Sequence, residues 1–76
     1  MNRVLKQKLR KEIKSIAFVD VLDDTSLLES GLLDSIDIVD LIIFIEKETD
    51  LKISNSDINE NNFDSIDKIV LYLSNR

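Results

Sequence analysis

The sequence predicts an all-α protein: a small antiparallel four-helix bundle with a short third helix and a long first loop. Three observations predict it. The 76 residues include no proline and one glycine, Gly31, so the chain has few built-in breaks. Apolar residues recur at spacings of three and four in three segments, which places them on single helix faces. The stretches between are rich in Asp, Ser and Asn, the residues that favour turns. A chain of this length makes one domain, residues 1–76. It buries only about 60% of its unfolded surface, so its stability margin is small.

The first helix is expected from near Asn2 to Ile16 or Ala17. Leu5, Leu9, Ile13 and Ile16 form its apolar stripe, and lysines and arginines fill the other face. Residues 18–34 read as a long connection through Asp23-Asp24-Thr25-Ser26 and Ser30-Gly31. Leu27, Leu28, Leu32 and Leu33 give that loop apolar side chains to pack down on the core, a habit of loops that carry function. The second helix is expected from about Ser35 to Thr49, with Asp34 as N-cap and Asp37 placed to interact with the helix start. Residues 50–63 are polar and turn-rich, with a short helix near Asp57 to Asn61 anchored by Ile58. The last helix is expected from about Ser65 to Leu73, capped by Asp64, with Ile66, Ile69, Val70 and Leu73 on its apolar face.

Asp34-Ser35-Ile36-Asp37 recurs as Asp64-Ser65-Ile66-Asp67. Four residues are too few for a duplication, and both copies read as capping chemistry with an aspartate at a helix start. Only the first copy follows a glycine and an apolar Leu-Leu step.

Composition excludes several functions. There is no cysteine, hence no disulfide and no thiolate metal site. There is no histidine, the commonest general base and metal ligand, so a hydrolase triad is excluded and an enzyme is the poorest reading. Aromatics are limited to Phe18, Phe44, Phe63 and Tyr72, which gives little for stacking nucleic-acid bases. Net charge is −5 and unevenly placed. Residues 1–16 carry six cations against Glu12 alone, a net of +5, and residues 17–76 carry 14 acids against four bases, a net of −10. Such asymmetry marks an electrostatically steered surface, and the acidic body argues for basic protein partners and against nucleic acid. The longest apolar run, Leu41 to Ile45, is too short to span a bilayer, and the basic N-terminus lacks the apolar segment of a signal peptide. A monomer in the cytoplasm is the expectation.

The second helix carries more apolar residues than one stripe needs. Ile38, Leu41, Ile42 and Ile45 supply a core stripe, while Ile36, Val39 and Ile43 form a second line beside Asp37, Asp40 and Glu46. Spacing alone leaves two readings open. Either all eight apolar residues from 36 to 45 are buried in a central helix, or the second line is an exposed ridge rimmed by carboxylates, a common docking surface. Ser35 stands at the helix start, where unpaired backbone N–H groups and partial positive charge favour a phosphate.

The run Glu29-Ser30-Gly31-Leu32-Leu33-Asp34-Ser35-Ile36-Asp37 resembles the modification site of the carrier proteins (acyl, aminoacyl and peptidyl carriers). The Thr25-Ser26-Leu27-Leu28-Glu29-Ser30-Gly31 lead and the Asn62-Phe63-Asp64-Ser65-Ile66 approach to the last helix extend the resemblance over nearly the whole chain. In that family the serine of a Gly-x-x-Asp-Ser or Gly-x-Asp-Ser run carries a 4'-phosphopantetheine arm. The resemblance therefore implies an acyl-carrier-like bundle with Ser35 as the attachment point and Ser65 as a decoy. It implies a separate Mg²⁺-dependent phosphopantetheinyl transferase that draws the arm from coenzyme A, with Asp34 helping to present the site or hold the metal. A thioester carrier needs a thiol, and this chain has none of its own. The resemblance also implies that the second helix is the recognition element for an acyl- or aminoacyl-loading ligase and for downstream enzymes, through Ile36, Asp37, Val39, Asp40, Ile43 and Glu46.

The resemblance has departures. Leu32 and Leu33 put two residues between glycine and aspartate, the form of D-alanyl carriers and of stand-alone carriers of dedicated pathways. Asp37 and Asp40 resemble the acidic helix of fatty-acyl carriers, so the cargo stays open between these classes. Thr49 and Asp50 stand where many carriers have an aromatic residue and a glycine. Starting at Met1 and lacking linkers, the chain reads as a discrete protein and not a megasynthase module. The rival of another class is a small helical adaptor that binds a partner through the second helix and is never modified. A weaker rival is a membrane-surface or nucleic-acid binder using the basic first helix.

Overall fold

The computed structural model of the chain describes residues 2–75. Helix α1 spans Asn2–Ala17, α2 Ser35–Thr49, α3 Glu60–Phe63 and α4 Ile66–Ser74, with a 3₁₀ turn at Asn55–Asp57. No strand occurs among the described residues. The architecture is all-α, as the periodicity predicts, and α1 and α2 match their expected spans.

The core is built by facing stripes. Leu9 and Ile13 of α1 meet Ile38, Leu41, Ile42 and Ile45 of α2, and Ile66, Ile69 and Val70 of α4 close the third side. Phe63 of α3 is fully buried and packs at 5.2 Å between ring centroids against Tyr72, whose hydroxyl donates to Asp57 Oδ2. The long loop contributes Val21, Leu27 and Leu33 to the same core, as its leucines predict. Burying one such side chain is worth roughly 1.5–3 kcal/mol, so Leu27 and Leu33 help to hold the loop down.

The basic face of α1 is spent largely on the molecule itself. Lys6 reaches Asp67 at 3.0 Å and Asp23 at 3.6 Å, Lys8 reaches Glu48 at 3.2 Å and Lys14 reaches Asp20 at 3.2 Å. Arg10 also pairs with Asp23. The hydrogen bond to Asp67 is the main cause that holds the Lys6 ammonium above its ordinary pKa range. The charge asymmetry of the sequence is thus in good part an internal match between α1 and the acidic elements around it.

Two details of the second half correct the sequence reading. The expected short helix near Asp57 to Asn61 is split into the 3₁₀ turn and α3, because Asn59 is extended and its side chain accepts from Asn62 N–H at 3.1 Å. Asn59 therefore starts α3 as its N-cap and does not lie inside a helix. The last helix begins at Ile66 and runs to Ser74, and its N-cap is Ser65, not Asp64. Ser65 Oγ accepts from Lys68 N–H at 3.1 Å, while Asp64 closes α3 with its N–H donating to Glu60 O at 3.2 Å.

Candidate functional site

The site is built at the start of α2. Asp34 is extended (φ −93°, ψ −174°), and its Oδ1 accepts from Ile36 N–H at 3.0 Å and Asp37 N–H at 2.8 Å. Asp37 returns the contact: its Oδ2 accepts from Asp34 N–H at 3.3 Å, completing a reciprocal capping box. Ser35, the first residue of α2, is exposed, and no hydrogen bond among the described residues engages its hydroxyl. This is the arrangement of a side chain offered to solvent from a rigid helix end.

The cap changes the electrostatics expected of that end. The amides of Ile36 and Asp37 are already occupied by the Asp34 carboxylate, so they are not free donors for a phosphate. A phosphodiester on Ser35 would gain the helix dipole but would sit beside the charges of Asp34 and Asp37. The group therefore fits as an outward arm on an exposed oxygen, not as an anion cradled by the backbone.

The approach to Ser35 is an ordered turn. Gly31 has φ +81°, a left-handed conformation that glycine adopts without strain, and its N–H donates to Leu28 O at 3.0 Å. Ser26 Oγ accepts from Ser30 N–H at 3.1 Å, and Leu33 N–H donates to Leu27 O at 2.8 Å. Buried Leu33 then hands the chain to Asp34.

Along α2 the second apolar line is exposed. Ile36 is 72%, Val39 54% and Ile43 51% accessible, while Ile38, Leu41, Ile42 and Ile45 are buried. Of the two readings left open by spacing, the exposed ridge is the one observed. Asp40 is exposed beside the ridge, and Asp37 is half-buried through its capping contact. Glu46 is also half-buried, because its Oε2 accepts from Ile53 N–H at 2.8 Å and ties the chain after α2. The ridge borders a groove of about 520 Å³ in which Glu12, Ser15 and Ile16 of α1 face Asp37, Asp40, Ile43, Phe44 and Lys47. Of the α1 residues of this groove, Ile16 belongs to the stripe expected from sequence, while Glu12 and Ser15 were not singled out as site residues. The signal for these two was their position flanking Ile13 and Ile16 at the edge of the core stripe.

Helix α2 ends at Thr49 with Asp50 in the left-handed region (φ 60°), its N–H donating to Glu46 O at 2.9 Å. The helix stop is thus kept without the glycine usual at that point, at a modest conformational cost. The second copy of the repeated motif is a different object. Ser65 is 6% and Asp64 7% accessible, and the Asp64 carboxylate faces the long loop. Its Oδ1 accepts from Leu28 N–H at 2.8 Å and Glu29 N–H at 2.9 Å, and both its oxygens lie 3.0 Å from Ser26 Oγ. Burial pushes the Asp64 pKa up, but the amides of Glu29 and Leu28, the Ser26 hydroxyl and the charge of Lys68 outweigh it and hold the carboxyl below 3.8. No sequence motif flagged this contact, since its partners lie 35 to 38 positions away.

Comparison with known proteins bears on this geometry. A family model described as "Phosphopantetheine attachment site" matches residues 7–73. The acyl carrier protein of Buchnera aphidicola subsp. Schizaphis graminum is 36% identical over 78 aligned positions, which cover all of this chain and 96% of that protein. No described helix is long and apolar enough to cross a membrane.

Proposed function

This chain belongs to the acyl carrier protein family, whose members carry acyl groups on a phosphopantetheine arm, and on that premise we propose that the arm is attached to Ser35. The observation that carries the assignment is the contrast between two serines in the same four-residue context. Ser35 is exposed and its hydroxyl has no bonded partner among the described residues, whereas Ser65 is buried and committed to Lys68 N–H. A transferase can reach the first and not the second.

In this reading the arm supplies the thiol that the cysteine-free chain lacks, and so the atom that forms the thioester. Ser35 supplies the oxygen. A separate Mg²⁺-dependent phosphopantetheinyl transferase takes its proton and stabilises the phosphoryl charge as the pyrophosphate bond of coenzyme A breaks and the adenosine bisphosphate half leaves. Asp34 holds the helix start rigid around Ser35 and leaves one carboxylate oxygen, Oδ2, without a backbone donor, available to the transferase or its metal. The whole chain acts as one monomeric carrier domain and catalyses nothing itself. Residence in the cytoplasm, where coenzyme A and the biosynthetic enzymes meet, belongs to the same reading.

Partner enzymes, a loading ligase and downstream acyl-using enzymes, dock on the ridge of Ile36, Val39 and Ile43 with Asp37, Asp40 and Glu46 along it. Asp40 is the carboxylate most available to a partner's cation, since Asp37 and Glu46 each hold a backbone N–H. The test is intact-protein mass after incubation with coenzyme A, Mg²⁺ and a promiscuous transferase. A phosphopantetheine-sized gain that Ser35→Ala abolishes is expected. A gain retained in Ser35→Ala would overturn the site, and no gain in folded wild-type protein would leave the exposed ridge as an adaptor surface.

A further inference from the structure

The geometry points to Asp64 as a positioning residue for the modification: a latch that fixes the loop in front of Ser35 and so sets how well a transferase engages the protein. The inference rests on the Ser35 reading. The chain of contacts is continuous. Asp64 Oδ1 takes the amides of Leu28 and Glu29, and Asp64 O takes Leu27 N–H at 2.6 Å. Leu27 O in turn takes Leu33 N–H at 2.8 Å, and Leu33 is bonded to Asp34, the cap of α2. Ser26, held by the same carboxylate, accepts from Ser30 N–H at 3.1 Å, and Ser30 Oγ donates back to Ser26 O at 2.6 Å. One buried carboxylate on the far side of the sequence thus orders residues 26–33, the segment that leads into Asp34 and Ser35.

Ordering a loop costs roughly 1–2 kcal/mol per residue in backbone entropy. With the latch closed, that cost is met in the folded protein before the transferase arrives. With it open, docking must meet it, which weakens binding in the ground and transition states alike. Helix α2 has its own core stripe and does not depend on the latch, so the reacting oxygen keeps its place once the complex forms. The expected signature is a raised KM for the carrier with kcat held.

The experiment is a time course of arm attachment by intact mass, at saturating coenzyme A and Mg²⁺, with carrier concentration varied. Asp64→Ala is expected to raise the KM for the carrier about tenfold while kcat stays within about twofold of wild type. Asp64→Asn, whose amide oxygen can still accept from Leu28 and Glu29 N–H, is expected to return within about threefold of wild type. Amide hydrogen exchange on the same proteins should show Leu28, Glu29 and Leu33 losing protection in Asp64→Ala while Leu41 and Ile42 of α2 keep theirs. A wild-type KM in Asp64→Ala, with Leu28 and Glu29 exchanging freely, would overturn the latch. So would parallel loss of protection in the loop and in α2, which marks general loosening. Should Asp64→Ala fail to fold, Ser26→Ala serves: it removes one donor and is expected to raise KM about threefold, and an unchanged KM with a loosened loop overturns the idea. Wild-type protein modified somewhere other than Ser35, or not at all, overturns the attachment site itself, an outcome the variants do not mimic.

Discussion

Asp34-Ser35-Ile36-Asp37 and Asp64-Ser65-Ile66-Asp67 share their letters and nothing else. In the first copy the aspartate caps the helix and the serine, one residue inside it, stands in solvent. In the second the serine caps the helix, and the aspartate turns away to hold a loop from the other half of the chain. The register of the helix start differs by one residue, and that shift decides which side chain is offered and which is consumed. What precedes each motif causes the shift. Gly31 and the two leucines bring the first copy in through an ordered turn that leaves Asp34 in extended backbone ready to cap. The second copy leaves α3 directly, so Asp64 is still αR and only Ser65 is extended. A short motif at a helix start is therefore defined by the conformation entering it.

The largest effect that tests this contrast is all-or-none. Ser35→Ala should abolish arm attachment, and Ser65→Ala should leave it complete, read by intact mass. Ser65→Ala should instead lower stability by about 1 kcal/mol through the lost cap, seen as a lower urea midpoint. Attachment lost in Ser65→Ala and retained in Ser35→Ala would reverse the roles of the two copies. Next comes the pair of aspartates. Asp64→Ala strips the partner from two part-buried amides and a hydroxyl and should cost about 2 kcal/mol in urea unfolding. Asp34→Ala removes a solvent-exposed cap and should cost about 1 kcal/mol. Equal costs would show that Asp64 does no more for the fold than an ordinary cap.

Much of this was legible in the chain. Helices α1 and α2 follow directly from the spacing of Leu5, Leu9, Ile13 and Ile16 and from Asp34 ahead of the apolar run, because amphipathic period and capping are local properties. The motif around Ser35 proposed for attachment stands out for the same reason, as its residues are contiguous. Exposure of Ile36, Val39 and Ile43 was half-legible: period alone shows two lines but not which faces solvent, and the depth of cover from α1 and α4 decides it. Asp64 was misread as a cap because its real partners are Ser26, Leu28 and Glu29, brought to it only by tertiary packing. Asn59 was misplaced inside a helix because Asn serves equally as turn and cap, and the choice depends on how α3 meets Tyr72 and the 3₁₀ turn.

The same contrast extends to pH. Asp64 has its pKa held below 3.8 in the folded protein, chiefly because the amides of Glu29 and Leu28 overcome the opposing effect of burial. Folding therefore favours its ionised form, and that contribution is present in full above 3.8 and is lost as pH falls through the lowered folded value. Asp64→Asn cannot titrate. The wild-type advantage over Asp64→Asn in urea midpoint should hold near neutral pH and shrink steadily as the solution is taken well below 3.8. A gap that widens on acidification would mean that the buried carboxyl is more stable protonated, and that the loop amides do not select its charge.

The smallest effect separates charge from capping at the first copy. Asp34→Ser keeps an oxygen able to accept from Asp37 N–H, and Ser ranks with Asp as an N-cap, so the cap itself should survive. What is lost is a negative charge at the positive end of α2, worth about 0.3–1 kcal/mol at an exposed site and less in high salt. The urea midpoint should drop slightly in dilute buffer, and the difference should fade as salt is added. The attachment rate reads something else. If Asp34 matters to the transferase only by holding the helix start, Asp34→Ser should be modified nearly as fast as wild type. If its free Oδ2 meets the transferase or its metal, the rate should fall far more than stability does. The two copies would then differ in a further way: the exposed aspartate would serve an enzyme, and the buried one would serve the fold that presents the serine to it.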